Sequence, residues 1–221
     1  MVLSGGQDST TCLYWAIREF GKEAVETVTF DYGQRHKIEL DCAAIIAAKA
    51  GVRNMLLPID TFGVIGGTSL TEEGIAVAQQ LDSKSGLPNT FVPGRNLIFL
   101  TFAAAFAYKC GSDHLVTGVA QTDYSGYPDC REDTITALQK AIQLGMDNDI
   151  RIHTPLMQLT KKETVELARD VGALDAMADT HTCYEGQRPP CMKCPACILR
   201  AKGFDEAGLA DPLVVRFAGS S

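Results

Sequence analysis

Apolar residues in this chain recur with two different periods, and the way those periods alternate predicts an architecture. Val2 and Leu3 read as the end of a buried strand, and further strand-like runs occupy 25–31, 55–59, 114–117 and 149–154. Between them lie stretches of helical period. Residues 12–17 continue a helix that begins near Asp8. Residues 37–50 place Ile38, Cys42, Ile45 and Ile46 on one face, with Gly51 as the stop. Residues 133–146 form another helix, and Thr160-Lys161-Lys162-Glu163 is a capping box that opens one more, running to Val171. Residues 96–109 are apolar all round, which predicts a central buried helix. Strand and helix alternating through short connections give an α/β fold, an open and mainly parallel sheet with helices on both faces. Residues 61–89 break the pattern with Gly63, Gly66, Gly67, Gly74, Gly86 and Pro88, and offer at best a short helix over 74–81. Irregular segments of that length are functional or mobile, and the glycines suggest a lid.

The densest chemistry follows the first strand, in Ser4-Gly5-Gly6-Gln7-Asp8-Ser9-Thr10. Paired glycines let the backbone turn tightly and approach a ligand, and the helix that follows offers free N–H groups and a positive dipole end to an anion. No Gly-Lys-Ser/Thr closes the loop as in a Walker A motif, and no Gly-x-Gly-x-x-Gly is present. The string resembles the PP-loop, Ser-Gly-Gly-x-Asp-Ser, of the ATP pyrophosphatase superfamily, whose members cleave ATP between its α and β phosphates. Asp8 suits a Mg²⁺ ligand, because Mg²⁺ usually takes one or two carboxylates together with phosphate oxygens; its structural alternative is an N-cap.

Composition narrows the class. Of 221 residues, 46% are hydrophobic and 21% charged, as in a folded globular protein. A net charge of −7 argues against a broad nucleic-acid-binding face. The apolar runs fall far short of the ~20 residues that span a bilayer. No signal or transit segment precedes the first motif, so the expectation is a soluble, cytoplasmic protein with no membrane partner. Cys12, Cys42 and Cys110 lie in apolar helical runs and read as small buried hydrophobes; Cys130 also stands alone. Cys183, Cys191, Cys194 and Cys197 crowd together at spacings that suit a tetrahedral ion. Zn²⁺ fits such a set, as a structural ion contributing on the order of 10 kcal/mol to folding the C-terminal segment. An iron–sulfur cluster or a redox Cys-x-x-Cys pair is the rival.

Arg95 and Lys161 each stand at a predicted helix N-terminus, where a cation opposes the helix dipole. A polyphosphate facing them would offset that conflict, whereas the plain alternative is a solvated surface cation. The loop from Gly118 to Arg131 follows a strand's C-terminal end, where open α/β sheets bind ligands. Asp123, Asp129 and Arg131 with Tyr124 and Tyr127 would suit a flat heterocycle, or would simply be a polar surface loop. The four histidines have no metal-site spacing.

Several separated strings together resemble one family. They are Ser4 to Leu13, Thr29-Phe30-Asp31-Tyr32-Gly33-Gln34-Arg35-His36, Asn89-Thr90-Phe91-Val92-Pro93-Gly94-Arg95-Asn96, Asp123-Tyr124-Ser125-Gly126-Tyr127-Pro128-Asp129-Cys130-Arg131 and the four cysteines. They look like the 7-cyano-7-deazaguanine synthase (QueC) family, and the likeness covers essentially the whole chain. The resemblance implies an adenine nucleotide α-hydrolase-like fold. It also implies a ligase that converts 7-carboxy-7-deazaguanine and ammonia, with ATP and Mg²⁺, to the nitrile, AMP and pyrophosphate. ATP would bind through Leu3, Ser4, Gly5, Gly6, Gln7, Asp8, Ser9, Thr10, Thr11, Cys12 and Leu13, one Zn²⁺ through the four cysteines, and members are homodimers. Asp8, Lys161 and Arg95 would stabilise charge in the transition state. The implied organisation is an ATP-binding part over 1–182, a zinc-binding segment over 183–217 packed on it as one folding unit, and a disordered tail over 218–221. Two departures stand out: three residues precede Ser4, fewer than relatives usually have, and the Gly expected beside the second cysteine is replaced within Pro189-Pro190-Cys191. A PP-loop tRNA-modifying thiolase, a non-catalytic zinc-bearing nucleotide binder and a paralogue acting on another carboxylate are the alternatives.

Overall fold

A computed structural model describes residues 1–78, 80–121 and 127–218. Strands β1 (Glu26–Asp31) and β2 (Arg53–Pro58) pair in parallel with Val28 opposite Met55. Strands β3 (His114–Val116) and β4 (Arg151–His153) form a second parallel pair with Leu115 opposite Ile152. The first residues join the two pairs. Val2 N–H donates to the Val116 carbonyl at 2.9 Å, Leu3 N–H to the Val28 carbonyl at 2.9 Å, and Val28 N–H to the Met1 carbonyl at 2.8 Å. The spatial order is therefore β2, β1, the 1–3 segment, β3, β4. The chain reverses its direction of growth between the first segment and β3, and ligands of open α/β sheets bind outside the strand ends at such a point.

Successive strand residues face opposite ways, so the central first segment and β3 feed two cores. Leu3 and Val116 pack with Cys12, Leu13 and Ala16 of α1 (Gln7–Phe20) and with Cys42, Ala43 and Ile46 of α2 (Ile38–Ala50). On the other face, Val28, Phe30 and Leu115 pack with Leu100, Ala103 and Ala104 of α4 (Arg95–Lys109) and with Ile135 and Ile142 of α5 (Glu132–Met146). The expected sheet with helices on both faces is present.

The differences from expectation are local. No helix forms over 74–81 among the described residues; α3 (Thr61–Ile65) is the helix of that region, and Asn89 ties down the rest by bonding Ala76 and Ala78. Helix α4 is not buried all round. Leu100, Ala103, Ala104 and Ala107 face the sheet, while Phe102 is 47% and Tyr108 55% exposed. A helix in an outer layer has only one face against the sheet, and apolar composition cannot cover the other. Cys110 ends α4 and is exposed, whereas Cys12 and Cys42 are buried as expected. Ala218 is the last residue of a helix rather than part of a tail; 219–221 lie outside the described residues.

The C-terminal region contains structure that hydrophobic periodicity did not announce. Helix α7 (Pro195–Glu206) packs on α6 (Lys161–Asp170), and α8 (Pro212–Ala218) follows it. They are held by Arg200, only 4% exposed, which grips Asp211 with Nε–Oδ2 at 2.6 Å and Nη2–Oδ1 at 2.8 Å. The same guanidinium donates to Thr180 Oγ1, Thr182 Oγ1 and the Met177 carbonyl. Such a bidentate pair compensates its own desolvation only while both partners are present. Arg200→Ala, which strands the Asp211 carboxylate, is expected to lower unfolding free energy by about 3–5 kcal/mol in urea titrations.

Candidate active site

The loop after the first segment is shaped by Gly5, whose φ is +83°. A Cβ there would collide with the Glu39 carbonyl and come within 2.8 Å of Ala43 N, so the loop lies directly on the first turns of α2. The Gly5 carbonyl accepts the His181 N–H at 2.9 Å. Helix α1 then starts one residue ahead of Asp8: Gly6 holds the N-cap position and no side chain caps the helix. Its first N–H groups are left for an anion. Ser4 and Ser9 brace the turn through their hydroxyls at 3.0 Å, and the Thr10 hydroxyl returns to the Gly6 carbonyl at 2.8 Å. Gln7 Nε2 and Asp8 Oδ1 are buried with no hydrogen-bond partner among the described residues, a donor and an acceptor that a phosphate and a cation would satisfy.

The other Asp8 oxygen, Oδ2, meets Lys161 Nζ at 2.7 Å across 153 residues of sequence. Lys161 is placed from both sides. The capping box of Thr160 and Glu163 starts α6 at that residue, and α7 presses Gly203 against it, where a Cβ would sit 3.0 Å from the Lys161 backbone. Arg95 opens α4, its guanidinium 5.5 Å from the Tyr32 ring and 3.3 Å from the Tyr32 hydroxyl. The rings of Phe30 and Phe99 stack at 4.4 Å, and Tyr32 lies 5.4 Å from Phe99. Loop, cations and rings surround one cavity of about 300 Å³, a volume suited to a small ligand.

At its back stand the four cysteines, whose sulfurs all lie within 4.8 Å of one another. Four thiolates around one ion at ~2.3 Å need sulfur separations near ~3.8 Å. Cys191 and Cys197 already stand 3.9 Å apart. Backbone N–H groups of Cys191 and Cys194 point at the sulfurs of Cys183 and Cys191, an arrangement that stabilises thiolate charge. The Cys197 thiol donates to Cys194 and lowers its pKa, while the same bond pushes Cys197 up. Four sulfurs competing for protons in this way can hold a tetrahedral metal ion. Met192 supplies the turn between Cys191 and Cys194 with a φ of 58°, without the help of a glycine.

Of the residues singled out from sequence, Leu3, Ser4, Gly6, Gln7, Asp8 and Ser9 line the cavity with Lys161, Arg95, Tyr127 and Cys183. Gly5, Thr10, Thr11, Cys12 and Leu13 stand behind them as support, Cys12 reaching the Thr117 carbonyl at 3.7 Å. Asp129 is buried and its Oδ2 accepts the Asn96 N–H at 3.0 Å, which caps α4; Arg131 is exposed at the start of α5. Neither lines the cavity. Asp123 and Tyr124 lie outside the described residues. Sequence reading missed the Phe30–Phe99–Tyr32 wall, since Phe99 looked like one more apolar residue of α4. It also missed Glu39, Tyr184 and His181, for which no local motif gives a signal.

Gly5→Ala tests the loop geometry. A left-handed alanine costs about 1–2 kcal/mol and the collision with α2 another 1–3 kcal/mol, so the variant should unfold roughly 2–5 kcal/mol more easily in denaturant titrations.

The family model described as "Queuosine biosynthesis protein QueC" matches residues 1–208. The 7-cyano-7-deazaguanine synthase of Chromobacterium violaceum is 67% identical over 216 residues, covering 98% of this chain and 92% of its own. That of Laribacter hongkongensis is 60% identical, covering 99% and 95%, and that of Bacillus subtilis 50%, covering 93% of each. Likeness of this extent, over a chain whose loop, cavity and cysteine cluster form one site, means that the protein belongs to the QueC family of queuosine biosynthesis.

Proposed function

We propose that this chain is an ATP-dependent ligase that converts 7-carboxy-7-deazaguanine and ammonia to 7-cyano-7-deazaguanine. The observation that carries this reading is the meeting of an uncapped helix N-terminus, the Asp8–Lys161 pair and an aromatic wall around one cavity, in a chain so similar to synthases of that name. A carboxylate oxygen of the acid attacks the α-phosphorus of ATP. Pyrophosphate leaves into the loop, where the α1 N–H groups and Gln7 Nε2 accept its charge. Ammonia then attacks the acyl carbon and AMP departs, leaving the amide. A second adenylation, on the amide oxygen, allows loss of AMP and two N–H protons to give the nitrile. Two ATP are used in all.

Lys161 and Arg95 stabilise the charge that develops on the phosphates, and the Phe30–Phe99–Tyr32 wall receives a flat ring. Asp8, with its unpartnered Oδ1, would hold Mg²⁺, which supplies charge neutralisation on phosphate oxygens. The four sulfurs would hold one Zn²⁺ per chain as a structural ion, since no position is left for a substrate. Residues 183–217 then belong to the same folding unit as 1–182, because α7 seats Lys161 and His181 holds the Gly5 carbonyl. No helix among the described residues is long and apolar enough to cross a membrane; membership of a bacterial biosynthetic family supports an enzyme of the cytoplasm. It is a homodimer, as the family resemblance implies, and the exposed Phe102 and Tyr108 on α4 offer apolar area for a second copy.

Purified protein incubated with Mg-ATP, ammonium and 7-carboxy-7-deazaguanine should give the nitrile, with two AMP per product, by mass spectrometry. AMP without nitrile would reassign the acceptor, and no AMP from folded, metal-replete protein would overturn the ligase reading. Lys161→Ala should lower kcat about 10²–10³-fold with little loss of fold, the usual effect of removing one group that stabilises transition-state charge. Elemental analysis should find zinc in one-to-one ratio with the chain, and chelation should lower the melting temperature and abolish activity together.

A further inference from the structure

The proposed reaction needs a proton acceptor as well as charge stabilisation. Ammonia must lose a proton to become an amide, and the amide must lose two more to become a nitrile. The titratable groups around the cavity are mostly committed elsewhere. Asp8 is paired with Lys161. His36 Nε2 accepts from Arg35 Nε at 3.0 Å. The His181 ring faces the Cys183 carbonyl at 3.0 Å, and burial lowers its pKa to about 4. Tyr32 accepts from Arg95, and burial raises the phenols of Tyr32 and Tyr184 above their ordinary range.

Glu39 differs from all of these. It lies in the first turn of α2 and lines the cavity, and its own carbonyl is the atom on which Gly5 of the phosphate loop packs. Among the described residues its carboxylate makes no hydrogen bond and no ion pair. The groups around it are Arg95 from α4, Tyr32 after β1, Tyr184 beside the cysteine cluster and Cys42 on its own helix. Glu39 and the loop residues Ser4, Gly6 and Gln7 thus line the same cavity, with the loop packed directly on this first turn.

We infer that Glu39 is the general base of the amination and dehydration steps, an inference that rests on the ligase reading above. As nitrogen bonds to the acyl carbon, an N–H proton passes to the Glu39 carboxylate, and the C–O bond to AMP breaks with its electron pair leaving on AMP. In the second half, the adenylated amide gives its N–H protons to the same carboxylate in turn, the carboxyl releasing each to solvent, while the C–O bond breaks and the nitrile forms. Burial pushes the Glu39 carboxyl up to about 7, against the opposing pull of Arg95, which matches a base to neutral pH. The base is active when deprotonated, so rate should rise as pH rises through about 7.

Glu39→Gln keeps the shape and removes the base. The test follows two reactions of the zinc-loaded full chain: ATP–pyrophosphate exchange that depends on the acid, without ammonium, and nitrile formation from the preformed amide, which removes the titration of ammonium from the profile. The expected result is exchange within a few-fold of wild type, nitrile formation lower by about 10²–10⁴-fold, and loss of the limb near neutral pH. Glu39→Asp should keep that limb at an intermediate rate. Wild-type nitrile rates in Glu39→Gln, or an unchanged limb, would overturn the inference. So would a parallel fall in exchange, which assigns Glu39 to holding the acid. A wild type that shows no acid-dependent exchange overturns the substrate reading itself, before any variant is compared. Folding is checked by linkage. A carboxyl raised from 4.5 to about 7 binds more protons folded than unfolded, so its contribution to stability falls as pH rises through that window. Glu39→Gln should therefore melt no lower than wild type at pH values above that window, and a lower melting temperature there would point to a structural role instead.

Discussion

The backbone hydrogen bonds of residues 1–3 are the constraint on which the rest depends. Val2 and Leu3 tie β1 to β3 and turn two short ladders into one sheet. Because helices α1 and α2 take one face and α4 and α5 the other, the chain ends leaving the sheet at this seam diverge and open a crevice. Several groups of the candidate site come from ends that reach it, the loop after Leu3, Tyr32 after β1, Gly118 after β3 and Arg95 at the start of α4, while Lys161, His181 and Tyr184 arrive from the C-terminal region. Gly118 shows how tight the seam is, since a Cβ there would lie 3.0 Å from Ser9 N at the start of α1.

The cysteine cluster bears on the site through rigidity. It stands behind the cavity, and the segments on either side of it reach forward. The His181 N–H fixes the Gly5 carbonyl, and α7 carries both Arg200, which locks the C-terminal end, and Gly203, against which Lys161 is seated. A metal ion closing the four sulfurs would hold all of these at once, with Cys183 alone of the four cysteines among the residues that line the cavity.

The site is also where local rules are broken together. Arg95 begins a helix whose dipole disfavours it, Gly5 adopts a conformation other residues resist, and among the described residues Gln7 Nε2 and Asp8 Oδ1 are buried without hydrogen-bond partners and the Glu39 carboxylate makes no hydrogen bond or ion pair. The rest of the chain shows the opposite tendency, with neighbouring apolar residues such as Leu115 and Val116 packing into opposite cores. Polar strain gathered in one cavity of a locally consistent fold is what ligand binding requires, because the missing partners are supplied by the ligand.

How much of this was legible depends on how far apart the determining residues lie. The period of apolar residues set the α/β class and the helices on both faces, since strand and helix geometry act over a few neighbouring positions, but it gave no signal for α3, α7 or α8 and suggested a helix over 74–81 that does not form among the described residues. The Gly-Gly turn and the four cysteines were equally legible, because their chemistry sits in short strings. Periodicity overstated the burial of α4 and missed α7, whose buried side chains include Arg200 and Gly203, polar or absent groups that carry no apolar signal. Tertiary structure alone decided that Asp8 meets Lys161 across 153 residues, that Phe99 faces the cavity while Phe102 faces outward, that Asp129 caps α4, and that Glu39 stands beside the loop. Those outcomes depend on which chain ends meet at the seam, and that is a property of the assembled sheet, absent from any window of neighbouring residues.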